Sequence, residues 1–217
     1  MPRQARADVT RRKIITAAVD LFSEIGYPAT GLGEIIERAD MTKGALYYHF
    51  DSKEALAEAI ITEGGASTLA AFHNITESSS PALENLIHGL FVVCDFTRTD
   101  RVAEIGLHLL QTFAGINDAT ERVYASWLDA ISGQLHRAAA EGDLREGLDP
   151  GAAAEVILEA ALGAEALSRA GSSGTDLRER IVRIWDLLLP AVVNPDSLEY
   201  FREFLARESL RRSPGAD

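Results

Sequence analysis

Apolar residues recur at three- and four-residue intervals along almost the whole chain, the period of helices that bury one face. Ile14, Ala18, Leu21, Phe22 and Ile25 form the first stripe, on a helix expected from about Asp8 to Ile25 and ended by Gly26-Tyr27-Pro28. Leu32, Ile35, Ile36 and Ala39 mark a second, short helix over Leu32 to Arg38, where Glu34, three residues after Gly31, supplies half a capping box. Asp40-Met41 breaks the pattern, and Asp tolerates the left-handed turn required there. Thr42 then caps a third helix of about two turns, Lys43 to His49, with Leu46 and Phe50 spaced to face inward together.

The pattern continues beyond Ser52. A fourth helix is expected to run towards His73, with a weak point at Gly64-Gly65. After a loop over residues 77–80 a fifth helix runs from Pro81 to about Thr97, and a sixth from Arg101 to Ala114. Asn117 or Asp118 caps a seventh reaching Ala140, with Tyr124, Trp127, Leu128, Ile131 and Leu135 on one face. Asp149-Pro150 is a strong helix start, and the stripe of the eighth helix (Val156, Ile157, Ala160, Gly163, Ala164, Leu167) is small-sided. Thr175 caps a ninth helix carrying Leu177, Ile181, Ile184, Trp185 and Leu188, which Pro190 is expected to end. Asn194-Pro195-Asp196 caps a last helix, and the chain from Arg211 onward is expected to fray. No repeat and no strand emerges, so the expected fold class is all-α. The expected domains are a helix-turn-helix head over residues 1–52 and a larger helical body over 53–217.

The third helix leaves an unusual outward face: Thr42, Lys43, Tyr47, Tyr48 and His49. Hydroxyls, a lysine and aromatic rings suit a helix end laid in a DNA groove, where lysine and phenol reach phosphates and base edges. Helix, tight turn and second helix is the helix-turn-helix pattern. Charge supports the polarity of such a molecule. The net charge is −12, yet residues 1–53 hold eight Lys and Arg against seven Asp and Glu. The body carries the acidic excess, so the basic end would be the one to approach a nucleic acid.

These residues carry a resemblance. Phe22, Gly26-Tyr27, Thr30, Glu34-Ile35, Ala39, the run Thr42 to Phe50 and Lys53-Glu54-Ala55-Leu56 closely resemble the TetR family of transcriptional regulators. The resemblance covers residues 10–60. It implies a homodimer, joined through helices near 149–190, that binds a palindromic operator in double-stranded DNA as a repressor. It implies DNA contacts from Arg11, Thr30, Thr42, Lys43, Gly44, Tyr47, Tyr48, His49 and Lys53. The family commonly has Thr or Ser where Gly31 stands and often Gly where Asp40 stands.

Arg3 to Asp8 and Thr42 to Phe50 look most like the γ-butyrolactone autoregulator receptors within the family. That subgroup carries a ligand-contacting tryptophan on the seventh helix, and Trp127 falls there. An indole offers a large apolar face and one donor, suited to a lipid-like ligand with a carbonyl. Gln111, His108, Tyr124 and Phe113 are further ligand-binding candidates. The subgroup's glutamine late on the fourth helix and hydroxyl on the eighth are replaced by Gly64 and Ala161. A regulator of efflux or catabolism that answers a different molecule, and a pseudo-receptor that binds no butyrolactone, therefore stay open as alternatives.

The remaining residues narrow the field. One cysteine, Cys94, allows no intrachain disulfide, and the five histidines show no metal-ligand spacing. No nucleophile motif or phosphate-binding glycine loop is present, so no catalytic residue, cofactor or metal is expected and a helical enzyme is a remote alternative. The start of the chain is polar and basic rather than signal-like, and no apolar run approaches the ~20 residues of a membrane span. A cytoplasmic protein is expected.

Overall fold

A computed structural model describes residues 3–77, 81–114 and 117–211. The described residues form ten helices: α1 (Arg3–Ile25), α2 (Leu32–Arg38), α3 (Lys43–His49), α4 (Lys53–Thr76), α5 (Ala82–Thr99), α6 (Arg101–Thr112), α7 (Asp118–Glu141), α8 (Pro150–Ser172), α9 (Leu177–Val192) and α10 (Leu198–Leu210). Among them there is no strand, only an isolated bridge between Leu144 and Val193. The loop expected over residues 78–80 and the chain after Arg211 lie outside the described residues.

The chain divides into two compact units. The first takes in α1 to α3, α4 as far as Ser67, α6 and the start of α7 to Val123. The second holds the rest of α4, α5, the remainder of α7 and α8 to α10. The first unit thus extends past residue 52. The cause is the pair Gly64-Gly65. A Cβ on Gly64 would stand 2.6 Å from the Val102 carbonyl oxygen, and one on Gly106 would stand 2.9 Å from the Ile60 carbonyl oxygen. Helices α4 and α6 therefore cross backbone to backbone at these two glycines. Gly65 meets both methyls of Val123 on α7 at 2.9 Å in the same sense. Helix α4 runs unbroken through this point. The ~1 kcal/mol that each mid-helix glycine costs is offset by close packing on two sides.

Ile14, Ile15, Ala18 and Phe22 of α1, Ile35 of α2, Leu46 and Phe50 at α3, and Leu56 and Ile60 of α4 make the core of the first unit. Ile25, expected in the stripe of α1, is 48% exposed because it stands in the last turn, where the chain leaves the core. Helix α1 begins at Arg3 rather than at the expected Asp8. The intervening Arg, Gln and Ala residues are strong helix formers that extend it without a buried face. At its far end Gly26 takes φ +84°, the left-handed turn that glycine adopts without strain.

In the second unit, Ile157, Leu158 and Ala164 of α8 and Leu177, Ile181, Trp185 and Leu189 of α9 are buried. Asp149 caps α8 as expected, accepting from the Gly151 and Ala152 amides. Pro190 does not end α9, which runs on to Val192. The helix needs few bonds beyond this point. The Val192 carbonyl accepts from the Arg145 amide at 2.9 Å, and the chain leaves along the Leu144–Val193 bridge. At the α8–α9 corner, Ser168, Ser172 and Arg180 all donate to the Asp176 carboxylate, which holds it well below the usual carboxylate range.

Candidate nucleic-acid interface and effector site

Helix α3 is short, so its geometry depends on its ends and its two anchors. The Thr42 hydroxyl accepts from the Ala45 amide at 3.2 Å and fixes the first turn. Leu46 is fully buried and Phe50 nearly so, which turns the opposite face outward. Asp40, at φ 52°, makes the left-handed turn between α2 and α3. Glu34 accepts from the Gly31 amide at 2.8 Å, so the carboxylate half of the capping box forms without a side chain at the cap. Arg38 of α2 ties back to Glu24 of α1 through two hydrogen bonds, at 2.9 and 2.7 Å. This pairing depresses the Glu24 carboxyl and raises the Arg38 guanidinium.

The exposed face of α3 carries Thr42, Lys43, Gly44, Tyr47 and Tyr48, with His49 half-buried. Tyr48 is 70% exposed. The Lys43 ammonium lies over the Tyr47 ring, 5.7 Å from its centroid, and is free to turn outward to an anion. At Gly44 no atom of another element lies within 4 Å of where a Cβ would stand. A phosphodiester backbone can come close to the helix there.

Three other residues expected at this interface are turned to partners within the protein. Thr30 is 1% exposed, and its hydroxyl donates to the Gly26 carbonyl at 2.9 Å. Lys53 donates to the Tyr27 and Thr30 carbonyls at 3.0 and 2.9 Å and lies over the Tyr27 ring. Arg11 pairs with Glu63 at 3.1 Å and lies over the Phe50 ring. Together they brace the turn between α1 and α2 and the back of α3. The centre of this bracing is Tyr27, which in the sequence stands out only as part of the break after α1 and of the family resemblance. Its ring packs edge-on against Phe22 and Phe113, and burial beside Glu54 pushes its phenol up to about 12. A tyrosine after a helix-ending glycine carried no signal of so many partners.

The effector candidates fall in both units. Phe113, His108 and Gln111 belong to the first. Phe113 is spent on Tyr27, at 5.1 Å between centroids. His108 and Gln111 are half-buried on α6. Trp127 and Tyr124 belong to the second unit, one helical turn apart on α7. Trp127 is 8% exposed and meets Phe72 edge-on at 5.4 Å. Burial raises the Tyr124 phenol. Gly64 lines no open space, because the α6 backbone lies against it. A glutamine at this position would collide with Val102. Among the described residues no group of His, Cys, Asp and Glu is arranged to hold a metal ion. No described helix is long and apolar enough to cross a membrane.

This architecture has relatives. The model of bacterial regulatory proteins of the tetR family matches residues 14–60, and a tetracyclin repressor-like C-terminal domain matches residues 79–194. The A-factor receptor protein of Streptomyces griseus is 31% identical over 202 residues, covering 93% of this chain and 70% of that protein. Among solved structures, CprB from Streptomyces coelicolor in complex with its biological operator sequence is similar with a TM-score of 0.78 at 26% identity, over 95% of this chain and 100% of that one. A gamma-butyrolactone receptor described as ArpA-like gives a TM-score of 0.76 at 27% identity, over 94% and 98%. A head with an anchored, outward-facing recognition helix and a matching C-terminal region leave one conclusion: the chain belongs to the TetR family of bacterial DNA-binding transcriptional repressors.

Proposed function

We propose that this repressor works in the cytoplasm as a homodimer, reads a near-palindromic operator with α3, and is released by a small apolar effector of γ-butyrolactone type that engages Trp127. The observation that carries the DNA reading is the face of Thr42, Lys43, Gly44, Tyr47 and Tyr48, held outward by Leu46 and Phe50. A two-turn helix reads only a few base pairs. Two copies related by a dyad read half-sites one helical turn apart.

The dimer contact is assigned to α8 and α9. Val156, Ala160, Gly163 and Leu167 lie on one outward stripe of α8, and Leu187 on α9 is 79% exposed. Leucines and a small-sided helix left on the surface of an otherwise well-buried unit suit a second copy of the same faces. The effector reading rests on Trp127 and on the likeness to the A-factor receptor protein and the gamma-butyrolactone receptor. An effector shifts the protein between states only through differential affinity for them. Here it would favour a state in which the two recognition helices no longer match successive grooves.

The test is a gel shift on DNA from around the protein's own coding region, with and without a panel of γ-butyrolactones. A retarded band that the lactones abolish supports the whole reading. A band that ignores every lactone keeps the repressor and rejects this effector class, consistent with Gly64 and Ala161 standing where the receptors hold ligand. A folded dimer that retards no palindromic DNA rejects the interface.

A further inference from the structure

The pair of rings at Trp127 lies wholly in the second unit, and its other member is Phe72 on α4. Phe72 is fully buried. Its ring meets the indole with planes at 63° and centroids 5.4 Å apart. The same ring abuts α5 at Gly89, where a Cβ would stand 2.7 Å from both Cδ2 and Cε2 of the phenyl. No side chain tolerates that approach. Gly89 stands in the middle of α5, where glycine costs helix stability, and the ring occupies the space its missing methyl leaves. Three helices thus converge on one phenyl group. Thr68 and Asn85, four residues before Phe72 and Gly89 on the same helical faces, are buried polar side chains. An aromatic centre with a few buried polar groups close by has the composition of a small-molecule site.

We propose that Phe72 determines which effectors the Trp127 site accepts. Its ring, seated on Gly89, is the wall that faces the indole, and its volume limits the length of apolar ligand that fits. The inference rests on the reading that Trp127 takes the effector. With the ring in place, the side of the indole that meets the phenyl is closed to a ligand. Without it, the site gains a phenyl-sized apolar hole, and holes of that kind stay dry and take up apolar molecules. Each additional methylene buried there changes affinity by a measurable factor.

The full-length protein and its Phe72→Ala variant are titrated with 2-alkanoyl-γ-butyrolactones of increasing chain length and, separately, with n-butylbenzene. Binding is read by calorimetry and by indole emission, with Trp127→Phe as the control that removes the Trp127 signal. The expected result is that Phe72→Ala binds n-butylbenzene roughly 10-fold or more tightly than the parent protein and prefers longer lactones. An unchanged chain-length preference, in a variant that is folded by circular dichroism and dimeric by ultracentrifugation, overturns the proposal whether or not n-butylbenzene is gained. If Phe72→Ala does not fold, Phe72→Leu is read instead: a smaller shift in the same direction supports the proposal and no shift overturns it. The two readings fail separately. If no variant binds a lactone, the lactone class is wrong, and the Phe72 wall stands only if n-butylbenzene bound by Phe72→Ala also releases operator DNA, which uptake into a mere core cavity would not do. If lactones release operator from the parent protein but Phe72→Ala keeps the same preference, the effector reading stands and the Phe72 wall is wrong.

Discussion

At the scale of single residues, the surface of α3 makes separable predictions. Lys43 is a point charge for phosphate, so Lys43→Ala should weaken operator binding on every sequence alike. It should also lower the slope of log affinity against log salt by about one per head. Tyr47 is half-exposed and stands one turn further on, so Tyr47→Ala should cost roughly 10- to 100-fold in affinity with less change in salt slope. Because the ammonium lies over the Tyr47 ring, the two losses should not add, and a double-mutant cycle by fluorescence anisotropy would expose the coupling. Much of this face was legible in the sequence. A cap at Thr42 and apolar residues four apart are enough to orient a two-turn helix. The pairing of Thr30, Arg11 and Lys53 with groups of the protein itself was not legible. Their partners, Gly26, Glu63 and the Tyr27 carbonyl, become neighbours only when α1, α2 and α4 are assembled. Phe72 escaped for the same reason, since a buried phenylalanine on an apolar face announces nothing until Gly89 and Trp127 are seen against it.

At the scale of helices, the glycine crossing of α4 and α6 gives a graded test. Alanine at Gly64 gains about 1 kcal/mol of helix propensity but sets its methyl against a backbone carbonyl that cannot move alone. Overpacking of this kind costs roughly 1–3 kcal/mol. Gly64→Ala should therefore lower the denaturant midpoint. Gly65→Ala presses on the Val123 side chain instead, which yields more readily than a helix backbone, and should lie closer to the parent. The reverse order would mean that α6 is not held at Gly64. The α8–α9 corner adds a pH dependence. The Asp176 carboxyl is depressed by Arg180, Ser168 and Ser172, so its stabilisation is complete above the ordinary carboxylate range near ~4 and is lost as pH falls through the lower folded value. Asp176→Asn should then melt below the parent at neutral pH, and thermal scans should show the gap closing in acid. Most helix limits were legible from periodicity and caps, as at Asp149 and Asn117. Pro190 misled because the carbonyl it leaves without a donor belongs to Asp186, an exposed residue, while the Val193 amide still bonds the Leu189 carbonyl one turn back. The small-sided stripe of α8 was read as one face, whereas the structure divides it. Ile157 and Ala164 turn inward, and Val156, Gly163 and Leu167 turn out.

At the scale of the whole molecule, that divided stripe matters most, because operator affinity depends on two heads being tied together. A single α3 bound to one half-site dissociates readily. Once one head of a dimer is bound, the second binds at an effective concentration set by the dimer, which raises overall affinity by ~100- to 10,000-fold. Leu187→Glu places a charge on the exposed face of α9, where it touches nothing in the monomer's core. The variant should fold with the same helix content yet sediment as a monomer at concentrations where the parent is a dimer. Its operator affinity should fall further than that of Tyr47→Ala, even though α3 is untouched. A half-site should be bound equally by variant and parent, since only the avidity has been removed. Should Leu187→Glu and Leu167→Glu both remain dimeric with full operator affinity, α8 and α9 are not the contact and the dyad must be sought on another face. The strong negative charge of the body gives the same experiment a second reading. Two acidic bodies repel each other, so the apolar stripe must outweigh that repulsion, and raising the salt should strengthen dimerisation while it weakens DNA binding.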